Sequence, residues 1–270
     1  MKKLKIGVIG CGTIGRAIAA ACQKELSGCV DLVALCDIDK EKASGLAKTL
    51  KRKVPIFEMS GLIKKSGLVV EAASGAVSAK VLSACIAGRR DCLVMSVGGL
   101  IGKEDLLVRA AAAGVKVYIP SGAISGIDGL KSAMAGMVTS VTLTTRKPPK
   151  GLAGAPYLKE NRIDISKINC ETVVFEGSAE EAVKGFPQNV NVSAVLSLAG
   201  IGAKKTRVRI VTSPDYMKNV HEIEVAGASG RITTRTENAP SATNPKTSAL
   251  AIFSAIATLR QAASSVRIGT

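Results

Sequence analysis

The stretch LKIGVIGCGTIGRAIAAACQ, residues 4–23, decides the fold of this chain. KIGVIG is a short apolar run rich in β-branched residues and indicates a strand, while IGRAIAAACQKEL has the apolar spacing of a helix. Gly10, Gly12 and Gly15 lie between them in the pattern GxGxxG. The glycine pattern alone is common by chance, but a strand before it and a helix opening within it are typical of a dinucleotide-binding unit.

The three glycines are expected to have separate roles. Gly10 permits the tight turn, Gly12 lets the backbone approach a pyrophosphate, and Gly15 allows the helix to pack closely on the strand. The N-terminus of the helix presents N–H groups to the phosphates. The predicted cofactor-binding residues of this loop are Gly10, Cys11, Gly12, Thr13, Ile14 and Gly15.

A carboxylate at the end of the second predicted strand suits the ribose of the cofactor. Asp37 lies 22 residues after Gly15, close to the spacing of about 20 that a ribose-binding acid requires. Its charge repels a 2′-phosphate and favours NAD, although Lys40 and Lys42 leave NADP use possible. Asp39 is the alternative ribose acid, and we prefer to interpret it as the N-cap of the next helix.

Strand and helix patterns alternate through the first 120 residues, which predicts βαβ units and a parallel sheet. After residue 130 most strand patterns alternate with a period of two, as in NVHEIEV and GRITTRTENAP. We therefore expect an α/β fold, with a Rossmann-type doubly wound parallel sheet in residues 1–122 and 244–270. Residues 123–243 are expected to form an α+β catalytic and dimerisation domain with a mostly antiparallel sheet. The segment 244–265 is expected to be a buried helix.

Ligands of doubly wound sheets bind outside the carboxyl ends of the strands. EAAS and SVGGL follow the third and fourth predicted strands. Ala73, Ser74 and Gly98 are therefore predicted to line the nicotinamide side of the site. A plain loop explains Gly98 equally well.

Composition restricts the partners of the chain. Its net charge is +16, but the basic residues are dispersed and no aromatic residues are interleaved with them, so anionic small molecules are expected rather than nucleic acid. Aromatic residues make up only 3%, so the core is expected to consist of Ala, Val, Ile and Leu. The seven cysteines form no CxxC pair and there is one histidine, so no metal site is expected. Reduced buried thiols, with no targeting or membrane segment, indicate the cytoplasm.

Several motifs occur in a recognisable order: the glycine loop, VEAAS, PSGAISGIDGL, FPQNVNVSA, NVHEIEV and NPKTSALA. With them, essentially the whole chain resembles the L-aspartate dehydrogenase family, whose plan is similar to that of dihydrodipicolinate reductase and homoserine dehydrogenase. The resemblance implies a homodimer that oxidises L-aspartate with NAD(P). The product, iminoaspartate, is hydrolysed to oxaloacetate and ammonia or passed to NAD biosynthesis.

The resemblance also implies roles for particular residues. The catalytic histidine falls on His221, and a cofactor-binding alanine falls on Ala123. A cofactor-binding asparagine falls on Asn189, with Asn191 as the alternative. A lone histidine is more often structural, but no other histidine is present to exchange protons near neutral pH.

The carboxylates of the substrate need cationic or N–H partners. Lys246 and Thr247 are predicted to bind them, because they are expected at the N-terminus of the last helix. An ordinary cap with Asn244 as N-cap and Pro245 in the first turn is the rival interpretation. In TTRKPP, Arg146 and Lys147 are weaker candidates, since a solvated strand end explains them as well.

Two other functions stay open at this point. One is a related imine or semialdehyde reductase of the dihydrodipicolinate reductase type. The other is a non-catalytic NAD-binding regulator, which the net charge of +16 supports but the lack of a helix-turn-helix pattern does not.

Overall fold

A computed structural model describes residues 3–187, 191–241 and 244–270, without the side chains of residues 245 and 246. The chain divides into two compact units. The first consists of Met1–Pro120 and Ile252–Arg267, and the second of Ser121–Ala251 and Ile268–Thr270.

The first unit contains a parallel sheet with helices, as the alternating pattern predicts. Its described strands are β1 (Leu4–Ile9), β2 (Val30–Cys36), β3 (Leu68–Glu71), β4 (Asp91–Val94) and β5 (Val117–Tyr118). Its helices are α1 (Thr13–Gln23), α2 (Lys40–Thr49), α3 (Met59–Lys65), α4 (Gly75–Ala87) and α5 (Asp105–Ala112). The strand order is β2-β1-β3-β4-β5, with every pair parallel. The order reverses at β1, and sheets of this kind bind ligands at the carboxyl ends of the strands on either side of such a point, here β1 and β3.

The second unit contains a mixed sheet. Its strands are β6 (Val138–Lys147), β7 (Thr172–Ser178), β8 (Arg207–Thr212), β9 (Asn219–Gly227) and β10 (Gly230–Asn238), and a small hairpin pairs β11 (Pro240–Ser241) with β12 (Asn244–Ser248). Its helices are α6 (Ile127–Ala133), α7 (Pro156–Glu160), α8 (Ala179–Gly185) and α9 (Asn191–Ala199), and α10 (Ala249–Ala262) is the last helix of the chain. In the order β10-β9-β6-β8-β7 only β6 and β8 pair in parallel among the described strands, so the expected mostly antiparallel sheet is confirmed.

The cores of the two units differ in composition. The first is aliphatic, as expected, and includes Ala255 and Leu259 from α10. In the second, the rings of Tyr157, Phe175 and Phe186 pack on one another with centroids 5.1 to 5.5 Å apart. Three of the seven aromatic residues of the chain thus pack at one place, which a whole-chain percentage does not reveal.

The start of the last helix was predicted wrongly. Residues 244–248 form β12, and α10 begins only at Ala249. Asn244 donates its N–H to Ser241 Oγ across the hairpin, while Ser248 Oγ accepts the N–H of Leu250 at 3.2 Å. Ser248 therefore occupies the position expected for Asn244. The helix is also less buried than expected, since the Phe253 side chain is 62% exposed.

Candidate active site

The glycine loop connects β1 to α1, and two of its glycines are required by the backbone itself. Gly10 has a φ of +97°, and a Cβ there would lie 2.4 Å from the carbonyl oxygen of Ala72. A Cβ on Gly15 would lie 1.8 Å from the carbonyl oxygen of Gly10. The tight turn at Gly10 and the close helix–strand packing at Gly15 are thus confirmed.

Gly12 stands in a different environment. Its φ of −76° is one that every type of residue adopts, and a Cβ there would have no described atom within 4 Å. It is the N-cap of α1, and as a glycine it has no side chain with which to cap the helix. The space in front of α1 and the first-turn N–H groups around Thr13 and Ile14 fit a pyrophosphate.

Asp37 lies beside the glycine loop at the end of β2. Its Oδ2 accepts the N–H of Cys11 at 2.6 Å, and its Oδ1 accepts the N–H of Asp39 at 2.9 Å. Asp39 in turn accepts the N–H groups of Glu41 and Lys42 at 3.0 and 3.2 Å, so its interpretation as an N-cap is confirmed. The first unit therefore brings Asp37 and the glycine loop together.

Glu71 organises the next two loops, and the sequence reasoning missed it. This fully buried carboxylate ends β3, and it accepts the N–H of Ala73 at 2.9 Å and that of Ser96 at 3.0 Å. Burial raises the pKa of Glu71, and these N–H groups oppose the rise. The sequence did contain a signal for this role, because LVVE is an apolar strand that ends in a charged residue.

The loops that Glu71 connects carry three predicted cofactor residues. Ala73 and Ser74 are exposed, and the backbone of Ala73 lies against Gly10. Gly98 lies in a short 3-10 turn, Val97–Leu100, that follows β4. All three thus lie at the same edge of the sheet as the glycine loop. Their contact with a cofactor stays a prediction.

His221 lies on the inner face of the second sheet. It pairs with Thr145 across β6 and β9, and its Nδ1 lies 3.0 Å from Thr145 Oγ1. The residue is 4% exposed. Burial, with the positive charge of Lys147 as the second cause, lowers the pKa of His221 to about 3. The imidazole is therefore neutral at physiological pH, and in this state it is a weak base.

Lys147 lies two residues beyond Thr145 on the same face of β6. It is 8% exposed, so the interpretation as a solvated strand end is wrong for this residue. Burial lowers the pKa of Lys147 to about 8, and it remains mostly protonated at neutral pH. Arg146 points to the opposite face, where it forms an ion pair with Glu222 at 3.3 Å.

Asn238, at the end of β10, forms hydrogen bonds to two segments that contain predicted ligand-binding residues. One segment contains Ala123, and the other contains Thr247. Its Nδ2 donates to the carbonyl oxygen of Ala123 at 3.0 Å, and its Oδ1 accepts the Ser248 hydroxyl at 2.5 Å. Ser248 follows Thr247 in β12. No pattern in the sequence singled out Asn238, and its partner Ala123 lies 115 residues away along the chain.

A cavity of about 370 Å³ lies within the second unit. Its polar lining includes Lys147, Lys150, Lys218, Asn219, Asn238 and Thr247. Thr247 and Lys246 belong to β12 rather than to a helix N-terminus, so the helix-dipole argument for them is wrong. The side chain of Lys246 and all of Asn189 lie outside the described residues, and Asn191 is exposed at the first position of α9.

The two units match models of known families. Residues 10–120 match the NAD binding domain of homoserine dehydrogenase, and residues 128–262 match the C-terminal domain of aspartate dehydrogenase. This combination defines the class: a dehydrogenase with an NAD-binding unit and a separate unit that contains the only histidine.

Comparison with whole proteins narrows the class. The chain is 48% identical to an L-aspartate dehydrogenase of Methanosarcina mazei, over 99% of this chain and 100% of that one. It is 42% identical to that of Nitrosopumilus maritimus, over 98% and 99% of the two chains. The crystal structure of an aspartate dehydrogenase from Thermotoga maritima matches with a TM-score of 0.76 at 26% identity, covering 99% of this chain and 100% of that chain. The chain belongs to the L-aspartate dehydrogenase family.

None of the helices in the described part of the chain is both long and apolar enough to cross a membrane. All seven cysteines lie in that part, and each is a free thiol.

Proposed function

We propose that the protein oxidises L-aspartate with NAD to iminoaspartate, which is hydrolysed to oxaloacetate and ammonia. The observation that carries the proposal is the neutral, buried His221, which contacts Thr145 and lies in the field of Lys147. Family membership supports L-aspartate as the substrate, since both relatives compared above are L-aspartate dehydrogenases.

His221 acts as the base in this proposal. Oxidation of an amino acid requires that the amine lose a proton before the bond between nitrogen and Cα becomes an imine, and a positioned neutral imidazole accepts such a proton. When Nδ1–H donates to Thr145 Oγ1, the lone pair of Nε2 is left to accept the proton. Thr145 thus orients the ring and can accept the Nδ1 proton of the tautomer that the proposal requires.

Residues of the first unit are proposed to bind the cofactor, which, when bound, supplies the acceptor for the hydride from Cα. The loop Gly10–Gly15 would hold the pyrophosphate, and Asp37 would hold the ribose. Ala73, Ser74 and Gly98 line the nicotinamide side, with Ala123 and Asn189 or Asn191 as contacts from the second unit. The carboxylate of Asp37 favours NAD over NADP, because it repels a 2′-phosphate.

The cellular setting is part of the proposal. We place the enzyme in the cytoplasm as a homodimer that supplies iminoaspartate for NAD biosynthesis. Seven free thiols suit a reducing compartment, and the resemblance to the family supports the dimer. Light scattering of the purified protein measures its mass directly, and a single-chain mass would contradict the dimer.

The activity is tested by following NADH formation from L-aspartate. We expect turnover with L-aspartate and a higher kcat/KM for NAD than for NADP, and we expect Asp37→Ala to reduce that preference. Dihydrodipicolinate and aspartate semialdehyde with NADH test the reductase alternative. Turnover of those substrates without turnover of L-aspartate, or a wild-type preference for NADP, would contradict the assignment.

A further inference from the structure

The cavity of the second unit is positively charged. It is lined by Lys147, Lys150 and Lys218, and no Asp or Glu occurs among the described residues that line it. Lys150 and Lys218 are exposed, so water and salt screen their charges. Lys147 is buried, and a buried charge is screened much less. Lys147 therefore contributes the least screened positive charge of the three lysines, and an anionic group is the ligand that suits this lining.

Lys147 also lies next to the candidate base. It is two residues after Thr145 on β6, so the two side chains project from the same face of the strand. Thr145 is hydrogen-bonded to His221, and the charge of Lys147 acts on the imidazole. Neither Thr145 nor His221 is among the described residues that line the cavity, so Lys147 is the residue that connects the cavity to the imidazole.

We propose that Lys147 binds a carboxylate of the substrate in this cavity and selects a dicarboxylic amino acid for reaction beside His221. The inference rests on the proposed function for the identity of the substrate, but the anion site itself does not depend on turnover. The volume of about 370 Å³ falls in the range of small-molecule sites, roughly 300 to 1,000 Å³.

Binding of the carboxylate has a consequence for His221. The positive charge of Lys147 contributes to the low pKa of the imidazole. A carboxylate on Lys147 offsets this charge, so the pKa of His221 rises when the substrate is bound. The histidine becomes a stronger base only in the complex that needs one.

Calorimetric titration with succinate in the presence of NADH tests the site without turnover. Succinate has the two carboxylates of aspartate and no amine to oxidise. We expect Lys147→Met to weaken succinate binding by about tenfold or more, because a charge-assisted hydrogen bond is lost. Lys184→Met is the matched control, since Lys184 is exposed on α8 and does not line the cavity. Unchanged succinate affinity in a folded Lys147→Met variant would overturn the proposal.

A second measurement uses the wild-type protein, in case the variant does not fold. A pulse of acetic anhydride followed by mass spectrometry reports the reactivity of each lysine. We expect succinate to protect Lys147 and to leave Lys184 unchanged. Equal labelling of Lys147 with and without succinate would contradict the site.

The results separate the inference from the proposed function. Succinate binding through Lys147 in a protein that does not oxidise L-aspartate would support the anion site and reject the function. Oxidation of L-aspartate with an unchanged KM in Lys147→Met would support the function and reject the inference.

Discussion

His221 and Thr145 are the residues on which the proposed proton transfer depends. The imidazole is buried, and Thr145 Oγ1 is the hydrogen-bond partner described for its Nδ1. A histidine that accepts a proton at Nε2 must carry its own proton on Nδ1, and the Thr145 hydroxyl is placed to accept a hydrogen bond from that N–H.

Replacement of Thr145 by valine removes this hydroxyl and keeps the shape of the side chain. We expect kcat to fall on the order of tenfold to a hundredfold, the value of a hydrogen bond to a group that becomes charged. KM for NAD is expected to stay within about threefold. Thr145→Ser retains the hydroxyl and is expected to recover most of the activity. Equal loss in both variants would indicate a packing role instead.

Lys147 makes the stability of the protein depend on pH. Its pKa is about 8 in the folded protein against 10.5 for an ordinary lysine, so between these values the unfolded chain binds the additional proton. Stability therefore rises with pH across this window, by about 1.4 kcal/mol per pH unit for this group. The lowered pKa of Lys147 means that the charged form of this side chain destabilises the folded protein at neutral pH.

Urea unfolding at several pH values measures this contribution. We expect Lys147→Met to be more stable than the wild type near pH 7, by about 3 kcal/mol at most, and the difference to shrink as the pH rises from 8 to 10.5. Other groups titrate equally in both proteins, so their contributions to the free energy of unfolding cancel in the comparison. A difference that is constant over this range would contradict the buried, charged lysine.

At the scale of the element, the turn from β1 to α1 contains glycines that are needed for two different reasons. Gly15 is required by packing, since a Cβ there meets the carbonyl oxygen of Gly10 at 1.8 Å. Gly12 has free space around it within the described structure. We therefore propose that Gly12 is a glycine because a ligand approaches it, whereas the packing of the fold itself requires a glycine at position 15.

The pair Gly12→Ala and Gly15→Ala separates these constraints. We expect Gly12→Ala to keep wild-type stability within about 0.5 kcal/mol, because no atom is displaced. Its NAD affinity is expected to fall by about tenfold or more, because the methyl group occupies the approach of the pyrophosphate. Gly15→Ala is expected to lose both stability and NAD binding. Thermal unfolding and calorimetry measure the two quantities, and full NAD affinity in Gly12→Ala would contradict the cradle.

Elements with a clear hydrophobic period were predictable, and those decided by side-chain contacts were not. The long strands and helices follow from apolar runs with a period of 2 or 3.6. The segment 244–248 reads as a helix start because of Asn-Pro, yet its backbone pairs with β11. The N–H of Asn244 is satisfied by Ser241 Oγ in that hairpin, and such a local contact leaves no periodic signal.

At the scale of the whole molecule, the sequence could indicate site residues that belong to a pattern, but not those that are defined by contacts in the folded structure. The glycine loop, Asp37 and His221 belong to a motif or are unique in the chain. Glu71 and Asn238 each act partly through a partner that is distant along the chain, Ser96 for Glu71 and Ala123 for Asn238. Lys147 looked like a strand end, and only the register of β6 shows that it lies on the buried face with His221.

The most direct test of the account is the turnover of His221→Asn with L-aspartate and NAD, measured beside its affinity for NADH. We expect kcat to fall by a factor on the order of a hundred to ten thousand, the usual contribution of a positioned general base. NADH affinity is expected to stay within about threefold of the wild type, because the predicted cofactor contacts do not include His221. A folded His221→Asn variant with near-normal kcat would contradict the central claim that this histidine is the base.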